Sequence, residues 1–74
     1  NSEITVETTD HLPQRFIHHR PYKIDLIAEY WRESGQWWLG EPELHIYQVI
    51  AEATLFELHH CPLKSRWILY KIYD

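Results

Sequence analysis

The sequence predicts a mostly β fold, a small antiparallel sheet or partly closed barrel of about six strands. Proline and glycine carry the first argument: Pro13, Pro21, Pro42, Pro62, Gly35 and Gly40 divide the chain into short apolar stretches without interrupting any. Those stretches alternate in polarity or are rich in β-branched, aromatic and leucine residues, as pleated segments require. A third observation is aromatic content. In 74 residues there are four Trp, five Tyr and two Phe, and a domain this small, burying only about 60% of its unfolded surface, needs such large rings to build a core.

The elements follow in chain order. Ile4 and Val6 alternate with Glu3, Thr5 and Glu7, the pattern of a half-buried strand that Thr8, Thr9 and Asp10 end. Arg15 to Ile17 and Tyr22 to Trp31 read as hairpin arms joined through His18, His19, Arg20 and Pro21. The second arm has two readings. Ile24, Ile27, Ala28 and Trp31 are spaced as on a helix, whereas Tyr22, Ile24 and Leu26 alternate as on a strand. If it is a strand, the change of phase at Leu26 and Ile27 calls for a bulge. Leu44 to Ile50, Leu55 to His59 and Arg66 to Tyr73 are strands by composition, with a short hairpin turn over Ala51 to Thr54 and a longer loop over Cys61 to Ser65.

Length sets one small β domain over residues 1–74. A chain that starts at Asn1 and lacks methionine is expected to be excised from a longer protein. The single cysteine, Cys61, excludes an internal disulfide and a cysteine-based zinc knuckle, which leaves hydrophobic packing to hold the fold and fits a reducing, cytoplasmic setting. No apolar run approaches the roughly 18 residues of a membrane span, so no membrane partner is expected. Eleven acidic residues against seven basic ones give a net charge of −4, interleaved along the chain. Such a surface suits solvation better than general polyanion binding.

The chemistry expected of this chain is binding. Adjacent Trp37 and Trp38 point to opposite faces if extended, so one indole packs inside while the other is available as an anchor for a protein partner. Arg15, Arg20 and Lys23 form one candidate basic patch, with Lys64, Arg66 and Lys71 as another. Beside Tyr22, Trp37 or Trp38 these cations define the alternative, a small-barrel binder of single-stranded nucleic acid; nearby Glu29, Glu33, Glu41 and Glu43 oppose it. The histidines suggest a metal at His59, His60 and Cys61 with His18 and His19, but on a strand His60 points away from the other two and no second ligand pair follows. No metal and no cofactor are therefore expected. Nothing resembles a nucleophile elbow, a phosphate-binding glycine loop or a metal-binding helix, so no enzyme activity is expected either.

The order Trp31-Arg32, Ser34-Gly35-Gln36-Trp37-Trp38, Ile46-Tyr47-Gln48-Val49, Phe56-Glu57-Leu58, Arg66-Trp67-Ile68-Leu69-Tyr70 and Tyr73-Asp74 resembles the C-terminal tail of ImuB-type mutasome proteins, inactive relatives of Y-family DNA polymerases. With Pro13 to Arg15, Phe16, Tyr22 and Ile24 the likeness extends to a related small, uncharacterised bacterial domain and covers most of the chain. The departure is His59-His60-Cys61-Pro62, where a more polar strand end is expected. The resemblance implies a β-rich accessory domain of bacterial DNA-damage tolerance and translesion synthesis that contacts protein or DNA, with no catalytic residue to carry over. It also implies that Tyr22 to Trp31 is a strand and that Trp31 to Trp38 is a hairpin around Glu33, Ser34 and Gly35. The reading is then a non-enzymatic module with Trp37 or Trp38 as anchor and Arg32 and Arg66 as polar neighbours, a purely structural terminal cap being the remaining alternative.

Overall fold

The computed structural model describes residues 2–35, 39–40 and 42–73. They form β1 (Ser2–Thr9), β2 (Leu12–His18), β3 (Arg20–Lys23), β4 (Leu26–Glu33), β5 (Leu44–Ala51), β6 (Thr54–Cys61) and β7 (Arg66–Tyr73), with a 3-10 turn at Pro62–Lys64. Every pairing is antiparallel, in the spatial order β3-β2-β1-β7-β6-β5-β4. The result is a seven-stranded sheet curled into a partly closed half-barrel.

Curling follows from the connection between the two edges. β3 and β4 lie at opposite ends of the order, yet only Ile24 and Asp25 separate them in the chain. The Ile24 amide donates to the carbonyl of Gln14 on β2 at 2.9 Å, and the Asp25 amide donates to Ile50 on β5 at 2.8 Å. Neighbouring peptide groups thus tie the two ends of the sheet together. Arg20 on β3 adds a two-pronged contact to the Glu52 carboxylate in the β5–β6 turn, with nitrogen–oxygen distances of 2.7 and 2.6 Å.

This break accounts for the strand count. The stretch Tyr22 to Trp31 is not one arm but the end of β3, the Ile24–Asp25 link and most of β4. A bulge is present as the phase change requires, but at Ala28: Ile27 pairs with Val49, and the next pair is Glu29 with Gln48. The extra residue makes the inward step three residues long, from Ile27 to Tyr30, which is why the spacing mimics a helix. Two further bulges bend the sheet, one leaving Gln14 without a β1 partner and one leaving Tyr70 without a β6 partner. Pro13 sits beside the first, at a bulge, where proline is tolerated in a sheet. Glu33 pairs with Leu44, so it belongs to β4 rather than to a turn; the rest of the Trp31–Trp38 hairpin reaches residues 36–38, outside the described set.

The core fills the concave face at the closed end. Phe16, Ile24, Tyr47, Val49, Ala51, Phe56, Leu58, Trp67 and Leu69 form the buried cluster, with Ile4, Val6, Tyr22 and Ile27 packed on it. Phe16, fully buried, stacks on Tyr22 at 5.0 Å and meets Phe56 edge-on at 5.0 Å, so an aromatic trio joins β2, β3 and β6. Alternation places Ile46 on the convex side, where it too is buried, in a cross-strand row with Trp31, His59 and Ile68.

Candidate functional site

At the open end the same concave face is not filled. Along β5 the inward positions run Ala51, Val49, Tyr47, His45, and their partners on β6 run Thr54, Phe56, Leu58, His60. Side chains therefore change from aliphatic core to aromatic and imidazole rings toward this end. Ile27 and Tyr30 of β4, His11 of the β1–β2 turn, Leu12 at the start of β2, and Pro62 complete a cleft of about 530 Å³. Its size is that of a small-ligand or side-chain pocket.

The rings are held by one another. His60 stacks on Trp67 at 4.1 Å and 8°, while Tyr47 lies between Tyr30, at 4.8 Å, and Trp67, at 5.5 Å. The Tyr30 hydroxyl and His45 Nδ1 share a hydrogen bond of 2.9 Å, and His45 Nε2 lies 3.4 Å from a Glu43 oxygen. Burial, then the neighbouring His45, lowers the pKa of His60 from its ordinary 6.5, which favours the neutral ring. Burial, then Tyr30, raises that of Tyr47. The wall is largely apolar. Leu12 and Tyr30, exposed by 47% and 46%, lie on it.

A second constellation lies on the convex face. Buried Glu57 accepts hydrogen bonds from the Tyr73 hydroxyl at 2.8 Å and Gln48 Nε2 at 3.1 Å, and its other oxygen lies 2.7 Å from His59 Nε2. His59 stacks on Tyr70 at 4.2 Å. Burial alone pushes the Glu57 carboxyl up, but the contacts from His59, Tyr73 and Gln48 outweigh it and leave the pKa below 4.5. This network ties β5, β6 and β7 together, and among the described residues no buried side-chain nitrogen or oxygen lacks a partner.

The residues singled out in the sequence are dispersed. Trp37 and Trp38 lie outside the described residues. Arg32 is exposed on β4, 3.9 Å from Glu43, and Arg66 begins β7, 3.6 Å from Glu3, so the two stand on different strands with separate acidic partners. Arg15 and Lys23 are cross-strand neighbours on β2 and β3, but the same row continues to Glu7. Arg20 reaches Glu52 and covers the Tyr22 ring at 4.3 Å. Lys64, in the 3-10 turn, is near Arg66 in sequence, while Lys71 lies over Tyr73 at the far end of β7, about 16 Å from Arg66 along the strand. Of the metal candidates, His59 contacts Glu57, His60 faces the cleft, Cys61 is buried, and His18 and His19 meet at 4.3 Å near the β2–β3 reversal. Among the described residues, no group of three or more His, Cys, Asp or Glu is arranged to hold a metal ion. No helix among them is long and apolar enough to cross a membrane.

The sequence reading missed Tyr30, Tyr47, His45 and Leu12 as site residues. The shared face of His45 and Tyr47 was visible, but only the strand order shows that they, with Ile27 and Tyr30 beside them, face His11 and Leu12 across a gap. No family model, curated protein or solved structure matches the chain.

Proposed function

We propose that this chain is a non-enzymatic binding module that takes an apolar side chain of a partner protein into the cleft at the open end of the half-barrel. The observation that carries this reading is the cleft itself: a largely apolar pocket with exposed Leu12 and Tyr30 in its wall. Contiguous apolar surface of this kind, left on a small domain, marks interaction sites. Trp37 and Trp38 belong to the segment joining β4 to β5 and are further candidate anchors. The likeness to mutasome tails supplies the setting, a bacterial DNA-damage-tolerance assembly, as part of this proposal.

Single-stranded nucleic acid is the alternative partner, favoured by the stacked rings of the cleft. Charge opposes it. Arg20, Arg32 and Arg66 each have a carboxylate within 4 Å, and the chain is net acidic, whereas backbone binding needs cations available to phosphates. Leu12→Asp and Tyr30→Ala, each made separately, decide the leading reading. Each should abolish capture of the partner from bacterial extract while far-UV circular dichroism is unchanged; retained capture by both variants overturns it. Salt-sensitive fluorescence anisotropy with labelled oligonucleotides, unaffected by unlabelled protein competitors, would move the assignment to nucleic acid.

A further inference from the structure

We propose that the partner segment binds as an added strand: an extended, cation-bearing peptide that pairs with the open edge of β4 and directs an apolar side chain into the cleft. This rests on the cleft being a protein-binding site, and it specifies the conformation and charge of what enters.

Among the described residues, no strand lies between β2 and β4 where the cleft opens. β3 is four residues long and covers β2 only from Arg15 to His18, so Leu12 and Pro13 have no neighbour on that side among the described residues. β4 runs for eight residues and, among the described residues, is paired only with β5. Beyond the Ile24–Asp25 junction the two edges are not hydrogen-bonded to each other among the described residues. The slot between them is closed at that junction and opens toward the cleft, lined by Leu12 and His11 on one side and by Ile27 and Tyr30 on the other. An extended segment laid along β4 would satisfy backbone groups of its edge. Its side chains would alternate between solvent and the concave face, where Tyr47, His45 and His60 wait.

Charge selects the occupant. Residues 10–14 and 25–33, which flank the slot, carry Asp10, Asp25, Glu29 and Glu33 against Arg32, four carboxylates to one guanidinium. Arg32 is itself 3.9 Å from Glu43. A second copy of this chain would bring the same acidic β4 edge to its own image, and like charges across an interface are unfavourable. A heterologous segment with Lys or Arg at its solvent-facing positions and a large apolar residue at the inward one is complementary in both respects.

The test uses short synthetic peptides in which Lys alternates with Phe, Leu or Val, their counterparts with Glu for Lys, and versions N-methylated along one edge. The Lys peptides should slow amide hydrogen exchange across Ala28 to Glu33, and the Glu peptides should bind at least about tenfold more weakly. N-methylation should remove binding, and Glu29→Lys with Glu33→Lys should narrow the Lys-over-Glu preference. If the N-methylated peptides bind equally well, or if resonances of Tyr47 and His60 shift while β4 exchange is unaltered, strand addition is wrong and the cleft reading stands. Failure of every alternating peptide to bind also overturns the proposal. Leu12→Asp separates the two claims, because its loss of natural partner capture tests the cleft without reference to backbone pairing.

Discussion

Two single residues show how local conformation and burial set stability here. Glu52 and Ala53 form the β5–β6 turn with φ of 52° and 60°, the left-handed region that favours Gly and Asn. Ala53 gains nothing from its side chain there, since it is exposed. Ala53→Gly should therefore stabilise the domain by about 0.5–1 kcal/mol in urea denaturation, relief of the backbone penalty exceeding the entropy that glycine adds to the unfolded chain. Glu57 behaves oppositely, since its carboxylate is the shared acceptor of Tyr73, Gln48 and His59. Glu57→Ala leaves those groups without it and should cost about 1–3 kcal/mol by the same measurement. The pH dependence follows from the signs. With its folded pKa below 4.5, Glu57 stabilises fully above that pH and loses its contribution as pH falls through the folded value. His60 and His18 are held below 6.5, chiefly by burial, so the unfolded chain takes up protons first and stability declines as pH falls from 6.5. His60→Phe, which preserves a ring against Trp67, should flatten that decline in melting temperature measured from pH 7 to 5.

At the scale of strands, the number of paired neighbours differs sharply. β5 and β6 are paired on both sides, whereas β1 meets β7 only through Ser2, Glu3 and Ile4, and β3 is a short edge. Amides of β5 and β6 should exchange slowest with deuterium and those of β3 and the first turn of β1 fastest; equal protection throughout would contradict this seam structure. The same elements show what the sequence could express. Ile4 and Val6, Leu44 to Ile50 and Arg66 to Tyr73 were legible because alternation is a property of the segment itself. The division at Ile24–Asp25 was not. It depends on hydrogen bonds to Gln14 and Ile50, residues ten and more positions away, and the Ala28 bulge disguised the phase. The cleft was hidden for a related reason: Leu12 and Tyr30 become neighbours only through the order of strands between them, whereas Trp37 and Trp38 attract notice in any linear reading.

For the molecule as a whole, one aromatic trio governs closure. Phe16 touches Tyr22 and Phe56 and is completely buried, so Phe16→Ala should cost about 3–5 kcal/mol, a large share of the 5–15 kcal/mol by which domains are stable. Chemical denaturation monitored by tryptophan fluorescence would measure it, and a loss below 1 kcal/mol would mean the closed end packs less tightly than described. The narrow β1–β7 seam also has a kinetic side. Ile4 lies opposite Trp67, so this contact must draw together groups separated by almost the entire polypeptide, whereas β4 through β7 join by successive local reversals. Loop-closure entropy makes the meander the natural nucleus and the seam a late event, with refolding on the order of milliseconds to seconds. Ile4→Ala should accordingly accelerate unfolding and leave the refolding rate nearly untouched in stopped-flow traces.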